Sequence, residues 1–123
     1  MKEAAAGRAA PYTDDSKIRL WSDAVMTYRL TGNKGPLKGV SWPIADEGLI
    51  IGRSARCDVI VPDPYVSREH FQVYVREGEP HLRDLGSLNE VKVNNQPTRR
   101  CVLHAGDEVC VGCMSFVVTA NVN

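Results

Sequence analysis

Short segments in which apolar and polar residues alternate are the feature that most limits how this chain can fold. Residues 71–75 (FQVYV) place three apolar side chains on one face, and residues 25–30 (VMTYRL) show the same pattern. A period of two residues is typical of a half-buried β-strand. Ten glycines and seven prolines interrupt the chain, which leaves few windows long enough for a helix. The pattern therefore predicts strands joined by turns.

The same alternation recurs in shorter segments along the rest of the chain. They are residues 49–51, 59–61, 81–84, 91–93, 101–103, 108–111 and 114–119. Turn-forming stretches such as GNKGP, PDP, REGEP, NNQP and AGD separate them. Many short strands at close spacing predict an all-β fold, here an antiparallel β-sandwich of about 10–11 strands.

The N-terminal region has a different composition. Residues 1–20 begin with an alanine-rich stretch and contain Pro11 and two adjacent aspartates, so we expect a flexible N-terminal arm followed by a sandwich domain over residues 21–121. The arm lacks the apolar core of a secretion signal, and no stretch approaches the roughly 20 apolar residues of a membrane span. These features predict a cytoplasmic protein with reduced cysteines and no membrane contact.

The charge balance restricts the class of ligand. Fifteen Lys plus Arg oppose fifteen Asp plus Glu, so the formal net charge is zero. A chain without an overall positive field lacks the main driving force for binding nucleic acid. We therefore expect no nucleic-acid partner, and any anion site must be local.

Candidate anion-binding residues occur at strand ends and turns. Arg53 follows an apolar run and a glycine, Ser67 and Arg68 follow a turn, and Asn89 lies in the turn-like stretch DLGSLNE. Guanidinium, hydroxyl and exposed amide groups are the donors that hold a phosphate oxyanion. Alternatively, the arginines are solvated strand-end charges, Ser67 is a turn former and Asn89 takes a left-handed turn conformation. Spacing alone leaves both interpretations open.

Three longer motifs in a fixed order favour the first interpretation. The blocks LIIGRSARCDVIVPDPYVSREHFQV, LRDLGSLNEVKVNNQ and LHAGDEVCVG, with TGNKGPLKGVSWPI upstream, resemble those of the forkhead-associated (FHA) domain, over residues 24–119. The resemblance implies a β-sandwich, similar in fold to SMAD domains, that binds phosphothreonine peptides through loops at one end. Phosphorylation-dependent protein–protein interaction in a signalling or regulatory protein is the function implied, with a phosphothreonine-containing protein as partner and no cofactor.

The resemblance also implies a role for each matching residue. Arg53 would pair with the phosphate and Arg68 would add a second charge. Ser67 would donate its hydroxyl, its backbone amide being a further candidate donor. Asn89 would hold the peptide backbone beside the phosphoresidue. Two arginines and a serine can satisfy the roughly 1.5 to 2 negative charges of a phosphothreonine.

Gly52 and His70 match positions that brace the binding loops in the family. The spacing of Ser67 and His70 also suggests a catalytic pair, but no nucleophile elbow, oxyanion loop or third member accompanies them. GRSARCD is not a phosphate-binding P-loop, because it lacks the final Gly-Lys-Ser/Thr. We therefore expect no enzymatic activity. We also expect this domain to be part of a larger multidomain protein.

Three residues depart from the family pattern. Leu88 replaces a small hydroxyl residue, which removes one hydrogen bond worth about 1 kcal/mol. Glu90 replaces a glycine and adds a carboxylate that would repel a dianionic ligand. Asn95 replaces a glycine in a later turn, where Asn tolerates left-handed geometry. Leu88 and Glu90 are thus candidate modulators, and a degenerate domain that binds a partner without phosphate is the alternative.

A zinc site is a further alternative, from a different class of function. Four residues have the spacing C-x2-H-x5-C-x2-C, namely Cys101, His104, Cys110 and Cys113. Strand alternation explains the same segment, however, with Val109 and Val111 facing inward and Cys110 outward. We therefore expect no metal, and we expect Cys57 to be a small buried or half-buried residue.

Overall fold

A computed structural model describes residues 26–122 of the chain, and this part folds entirely into strands and loops. Its eleven strands are β1 (Met26–Lys34), β2 (Ser41–Ile44), β3 (Leu49–Gly52), β4 (Val59–Ile60), β5 (Phe71–Arg76), β6 (Glu79–Asp84), β7 (Val91–Val93), β8 (Gln96–Thr98), β9 (Arg100–Val102), β10 (Glu108–Val111) and β11 (Met114–Val122). The predicted all-β class is confirmed. None of the described residues forms a helix that could cross a membrane.

The strands form two sheets. One has six strands in the order β2-β1-β11-β10-β7-β8, and the other has five in the order β4-β3-β5-β6-β9. Antiparallel pairing dominates both sheets, as predicted, but β3 and β4 pair in parallel, with Ile51 opposite Val59. The short crossover between these two strands, residues 53–58, is the first loop of the site described below.

A single apolar core is enclosed by the inward faces of the strands. In β5, Phe71 and Val73 are fully buried while Gln72 and Tyr74 are partly exposed, as the alternation predicts. Other large apolar side chains that are fully buried in the described part of the chain include Phe116, Leu30, Ile51, Leu82, Leu103 and Met114. Burial of this apolar surface is the main driving force for the fold.

Most strands predicted from alternation end within about three residues of the observed ones, and alternation missed two strands. Ser41–Ile44 lies within TGNKGPLKGVSWPI, the upstream stretch that resembles the family's first hairpin, and it pairs with β1. The stretch NNQP, residues 94–97, was assigned to a turn, but its last two residues belong to Gln96–Thr98, which forms the edge of the six-stranded sheet. Proline is tolerated on an edge strand, where its missing N–H breaks no ladder bond. The proposed arm over residues 1–20 lies outside the described residues.

Chain direction places several loops at the same end of the sandwich. Strands β3, β6 and β10 run towards this end, and β5 and β7 start from it. Loops 53–58, 61–70 and 85–90 and the Gly112–Cys113 turn lie there, and we call it the groove end. The opposite end carries the turns at residues 77–78, 94–95 and 103–107, and we call it the far end.

Candidate functional site

A surface groove of about 240 Å³ lies at the groove end. Its lining consists of Arg53, Pro64, Tyr65, Val66, Ser67, Arg68, Leu88 and Asn89. All four residues predicted to contact a phosphopeptide therefore meet in one groove, although they come from three separate loops. Two arginines and no carboxylate are among these described lining residues, so the groove is locally basic in a chain of zero net charge.

Arg53 is held by its backbone and by the first nitrogen of its guanidinium. Its N–H donates to the Ser67 carbonyl at 3.0 Å, and its Nε donates to the Val66 carbonyl at 2.9 Å. Within residues 26–122 the two terminal nitrogens of Arg53 have no hydrogen-bond partner. A guanidinium oriented through Nε keeps its other donors available to an oxyanion.

Gly52 is required because two chain segments approach closely beside it. A Cβ atom at this position would lie 2.2 Å from the Arg68 carbonyl oxygen, a backbone atom that cannot move aside independently. The same carbonyl accepts hydrogen bonds from the Ser54 N–H at 3.1 Å and the Cys57 thiol at 3.0 Å. Gly52 thus permits the loops that carry Arg53 and Arg68 to lie against each other.

His70 joins two of the loops from inside the protein. Its side chain is fully buried, its Nδ1 accepts the Ser67 N–H at 3.0 Å, and its Nε2 lies 2.5 Å from the Asn89 carbonyl. An acceptor at Nδ1 and a donor at Nε2 define a neutral imidazole with its proton on Nε2. Burial lowers the pKa of His70, which agrees with the neutral form.

The same geometry bears on the suggested Ser67–His70 pair. The imidazole is bonded to the backbone amide of Ser67 and not to its hydroxyl. With Nδ1 and Nε2 both in use, His70 has no free lone pair to accept a proton from the hydroxyl. The Ser67 amide is already used in this bond, which disfavours the predicted role of that amide as a further phosphate donor.

The Ser67 hydroxyl and the Asn89 side chain belong to the same groove as Arg53. The Ser67 Oγ accepts the Leu88 N–H at 3.3 Å, which leaves its own proton for a ligand. One N–H of the Asn89 amide donates to the Tyr65 carbonyl at 2.8 Å. Asn89 is not among the described residues with positive φ, so the alternative of a left-handed turn residue was wrong.

The two candidate modulators differ in position. Leu88 lines the groove and is 92% exposed, the largest exposure among the described large apolar residues. Glu90 does not line the groove, and its carboxylate lies 3.3 Å from the Arg99 Nε. Its φ is not positive, so the family's glycine is not required by the backbone here. Repulsion by Glu90 stays a prediction, and the pairing with Arg99 reduces its expected size.

Two aspartates that sequence reasoning missed hold the loops in place. The Asp84 carboxylate accepts the Gly86 and Ser87 N–H groups at 2.7 and 2.8 Å and the Ser87 hydroxyl, and it pairs with Arg99 at 3.0 Å. Burial opposes its ionisation, but these bonds outweigh burial and lower the pKa of Asp84. An aspartate two residues before a glycine was the available sequence signal.

Asp63 is the second of these aspartates. It accepts the Tyr65 N–H and, from 50 residues further along the chain, the Cys113 N–H, both at 2.8 Å. These two backbone bonds lower the pKa of Asp63. A Cβ atom on Gly112 would lie 2.6 Å from its Oδ2, and Gly112 has a positive φ of 55°. Asp63 thus ties the loop that carries Ser67 to the β10–β11 turn.

The cysteines occupy different parts of the sandwich. Cys101 lies in β9 of the five-stranded sheet, whereas Cys110 lies in β10 of the six-stranded sheet. Val109 and Val111 are buried, as alternation predicts, and Cys57 is 8% exposed, within the expected range. In the part of the chain that the structure describes, no group of three or more His, Cys, Asp and Glu residues could hold a metal ion. The zinc alternative thus has no support there.

A two-sheet β-sandwich that gathers arginine, serine and asparagine around a groove at one end belongs to the class of loop-based recognition modules. Residues 49–112 match the family model described as FHA domain. The chain belongs to the forkhead-associated domain family, as the sequence motifs predicted.

Known proteins show how far the similarity extends. The chain is 34% identical over 91 residues to the oxoglutarate dehydrogenase inhibitor of Corynebacterium efficiens, covering 74% of this chain and 64% of that protein. It is 35% identical over 88 residues to the glycogen accumulation regulator GarA of Mycolicibacterium smegmatis, covering 72% of this chain and 56% of the regulator. The chain thus spans less than two thirds of either relative.

A solved FHA domain, studied for its phosphothreonine-dependent interactions, superimposes with a TM-score of 0.69 at 29% identity. The superposition covers 76% of this chain and 95% of that one. The sandwich described above is therefore the fold of FHA domains.

Proposed function

We propose that this protein binds phosphothreonine-containing segments of partner proteins in the groove between Arg53 and Asn89. The observation that carries this proposal is the charge of the groove, in which Arg53 and Arg68 have no acidic partner within 4.0 Å among residues 26–122 and no carboxylate lines the wall. A phosphate of about 1.5 to 2 negative charges complements two arginines and a hydroxyl donor.

Each predicted binding residue has a group available for this ligand. Arg53 offers its terminal guanidinium nitrogens, Arg68 an exposed side chain, and Ser67 its hydroxyl proton. Asn89 keeps its Oδ1 and one N–H for the peptide backbone. Since the loops are already tied together by His70, binding needs little reorganisation of the site, which favours affinity.

The protein acts as a binding module without catalysis. Support comes from His70, whose ring nitrogens are both engaged, and from the names of the relatives, which are an inhibitor and a regulator. By analogy we infer that the partner is a protein whose activity or assembly is controlled by phosphorylation.

A partner contact that does not depend on phosphate is the second candidate function. Leu88 and Tyr65 favour it, because they are 92% and 72% exposed and flank the groove with apolar surface. Exposed apolar side chains at a recognition surface are typical contact residues. This surface could bind a peptide even when the phosphate contributes nothing.

Titration with a library of phosphothreonine peptides, each beside its unphosphorylated control, separates the two candidates. Phosphate-dependent recognition predicts that selected phosphopeptides bind and that their controls do not. Equal binding of both members of a pair would favour the phosphate-independent contact and contradict our proposal.

A further inference from the structure

A second groove of about 400 Å³ adjoins the first and shares Arg68 with it. Its lining consists of Ser54, Arg56, Arg68 and Glu69. We propose that this groove is a second anion subsite, which takes a phosphorylated or acidic side chain of the same peptide whose phosphothreonine occupies the first groove. The inference rests on the proposed function and adds a preference for ligands with two anionic groups.

The loop that carries Arg56 is fixed relative to Arg68. Ser54 N–H and the Cys57 thiol both donate to the Arg68 carbonyl, at 3.1 and 3.0 Å. Burial raises the pKa of the Cys57 thiol, which keeps it protonated and able to donate. Within the loop, Cys57 N–H donates to the Ser54 carbonyl at 3.0 Å and closes a turn around Arg56. The backbone segments that carry Arg56 and Arg68 are therefore bonded to each other.

The number of arginines exceeds what a single phosphate requires. Arg53, Arg56 and Arg68 all lie at the groove end, and in the described part of the chain none has a carboxylate within 4.0 Å. Arg53 and Arg68 suffice to balance one phosphate of about two charges. Arg56 then supplies a positive charge that no group of the first site uses.

The acidic residues of this region, with one exception, are engaged elsewhere. Asp58 accepts the Ile50 N–H at 2.8 Å, and Asp63 accepts two backbone N–H groups. Glu69 is the exception, since it lines the second groove and has no hydrogen-bond partner among residues 26–122. Its charge opposes an anionic ligand, so it limits the strength of the subsite and provides a means to test it.

Ser54 adds a neutral donor to the two arginines. Its Oγ accepts the Arg56 N–H at 3.1 Å, and its own proton stays available to a ligand. Arg68 is shared with the first groove, so Arg56 and Ser54 are the donors that the second groove adds, a guanidinium and a hydroxyl as in the first groove. Phosphate and carboxylate are both bound by such a set.

The test uses one phosphothreonine peptide in which a second anionic residue is moved along the sequence, one position at a time on both sides. The second residue is a phosphothreonine, a glutamate or an alanine. At one spacing we expect affinity to rise at least about fivefold over the alanine peptide, and to rise less at high salt. Peptides phosphorylated only at the second position correct for binding in the alternative register, which alone gives about a twofold gain.

Two variants and a matched control assign the gain to the second groove. Arg56→Ala should abolish it and leave the affinity for the singly phosphorylated peptide within about twofold of wild type. Glu69→Gln should increase the gain, because it removes the only carboxylate lining the groove. Arg76→Ala removes the same charge at the far end of β5 and should change nothing.

The possible outcomes are distinct. Affinity that is independent of the second residue at every spacing, or a gain that Arg56→Ala leaves intact, would overturn the subsite while the proposed function stands. A larger gain from phosphothreonine than from glutamate would identify a doubly phosphorylated ligand, and equal gains would identify an acidic one. Failure of every singly phosphorylated peptide to bind would overturn the proposed function together with the subsite.

Discussion

The far end of the sandwich closes with local turns, whereas the groove end is tied by hydrogen bonds between distant parts of the chain. At the far end, Glu77 and Gly78 have φ values of 53° and 77°, and Asn94 and Asn95 have 51° and 69°. Two adjacent residues with positive φ form the tight turn that suits the twist of a β-hairpin. Each of these hairpins reverses within two residues.

At the groove end the decisive bonds join residues 19 to 50 positions apart. His70 bonds to the Asn89 carbonyl, Asn89 to the Tyr65 carbonyl, and Leu88 N–H to the Ser67 hydroxyl. Loops without regular structure are thereby held in one arrangement before any ligand arrives. The comparison teaches that the part-buried side chains of His70 and Asp63 hold the site in a preformed arrangement. At the far end, tight turns are supplemented by side-chain hydrogen bonds that are exposed, such as Asn94 to Asp107.

Replacement of His70 should have the largest effect on the groove end, because this side chain joins two of its loops. His70→Ala removes the acceptor of the part-buried Ser67 N–H and one of the two donors to the Asn89 carbonyl, and it opens a cavity at a fully buried side chain. We therefore expect a loss of about 2–4 kcal/mol of unfolding free energy. Urea denaturation measures it. Asn95→Gly at the far end is the matched control and should change stability by less than about 0.5 kcal/mol.

Ser67→Ala should weaken peptide binding with little loss of stability, and equal stability of the His70→Ala and Ser67→Ala proteins would contradict the bracing role of His70.

Acidification should weaken the same hydrogen bonds of His70 to a smaller extent. Because the folded-state pKa of His70 lies below the ordinary value of 6.5, the unfolded chain binds the proton first. Stability is therefore complete above pH 6.5 and falls below it, by at most about 1.4 kcal/mol per pH unit for one group. The pKa values of Asp63 and Asp84 are also lowered, but these two groups change the stability only at pH values near and below 3.8, the ordinary pKa of an aspartate.

Denaturation midpoints from pH 7 to pH 5 test this, with a His70→Gln protein as reference. The two remaining histidines are common to both proteins, so they cancel in the comparison. A wild-type slope no steeper than that of the variant would show that His70 does not carry this pH dependence.

The smallest effects are expected at the edge of the groove. Leu88→Thr supplies a hydroxyl beside the phosphate, and we expect a gain of a few-fold in phosphopeptide affinity that changes little with salt. Glu90→Gly should add less, because Glu90 pairs with Arg99 away from the groove, and its gain should be largest at low ionic strength. Calorimetric titration at two salt concentrations distinguishes the salt-independent gain of Leu88→Thr from the salt-dependent gain of Glu90→Gly. Unchanged low-micromolar binding in both variants would show that this loop holds its ligand without the family's residues.

The same contrast explains what the sequence could predict. Alternation identified the buried faces of β5 and β10, and glycine and asparagine marked the far-end turns, because both signals are local. Family motifs identified five of the eight residues that line the groove and left out Pro64, Tyr65 and Val66. They did not reveal that Asp63 reaches the Cys113 N–H, or that Glu90 pairs with Arg99, because such contacts depend on the packing of loops far apart in sequence.

Binding of one selected phosphothreonine peptide to wild type, Arg53→Ala and Arg76→Ala tests the central claim most directly. Both variants lose one positive charge, but only Arg53 lines the groove. We predict that Arg53→Ala lowers affinity at least tenfold, about 1.4 kcal/mol, and that Arg76→Ala binds like wild type. The melting temperature of Arg53→Ala should fall only slightly, through loss of the hydrogen bond to the Val66 carbonyl. Wild-type affinity in the Arg53→Ala protein would contradict the assignment of this groove as the phosphate site.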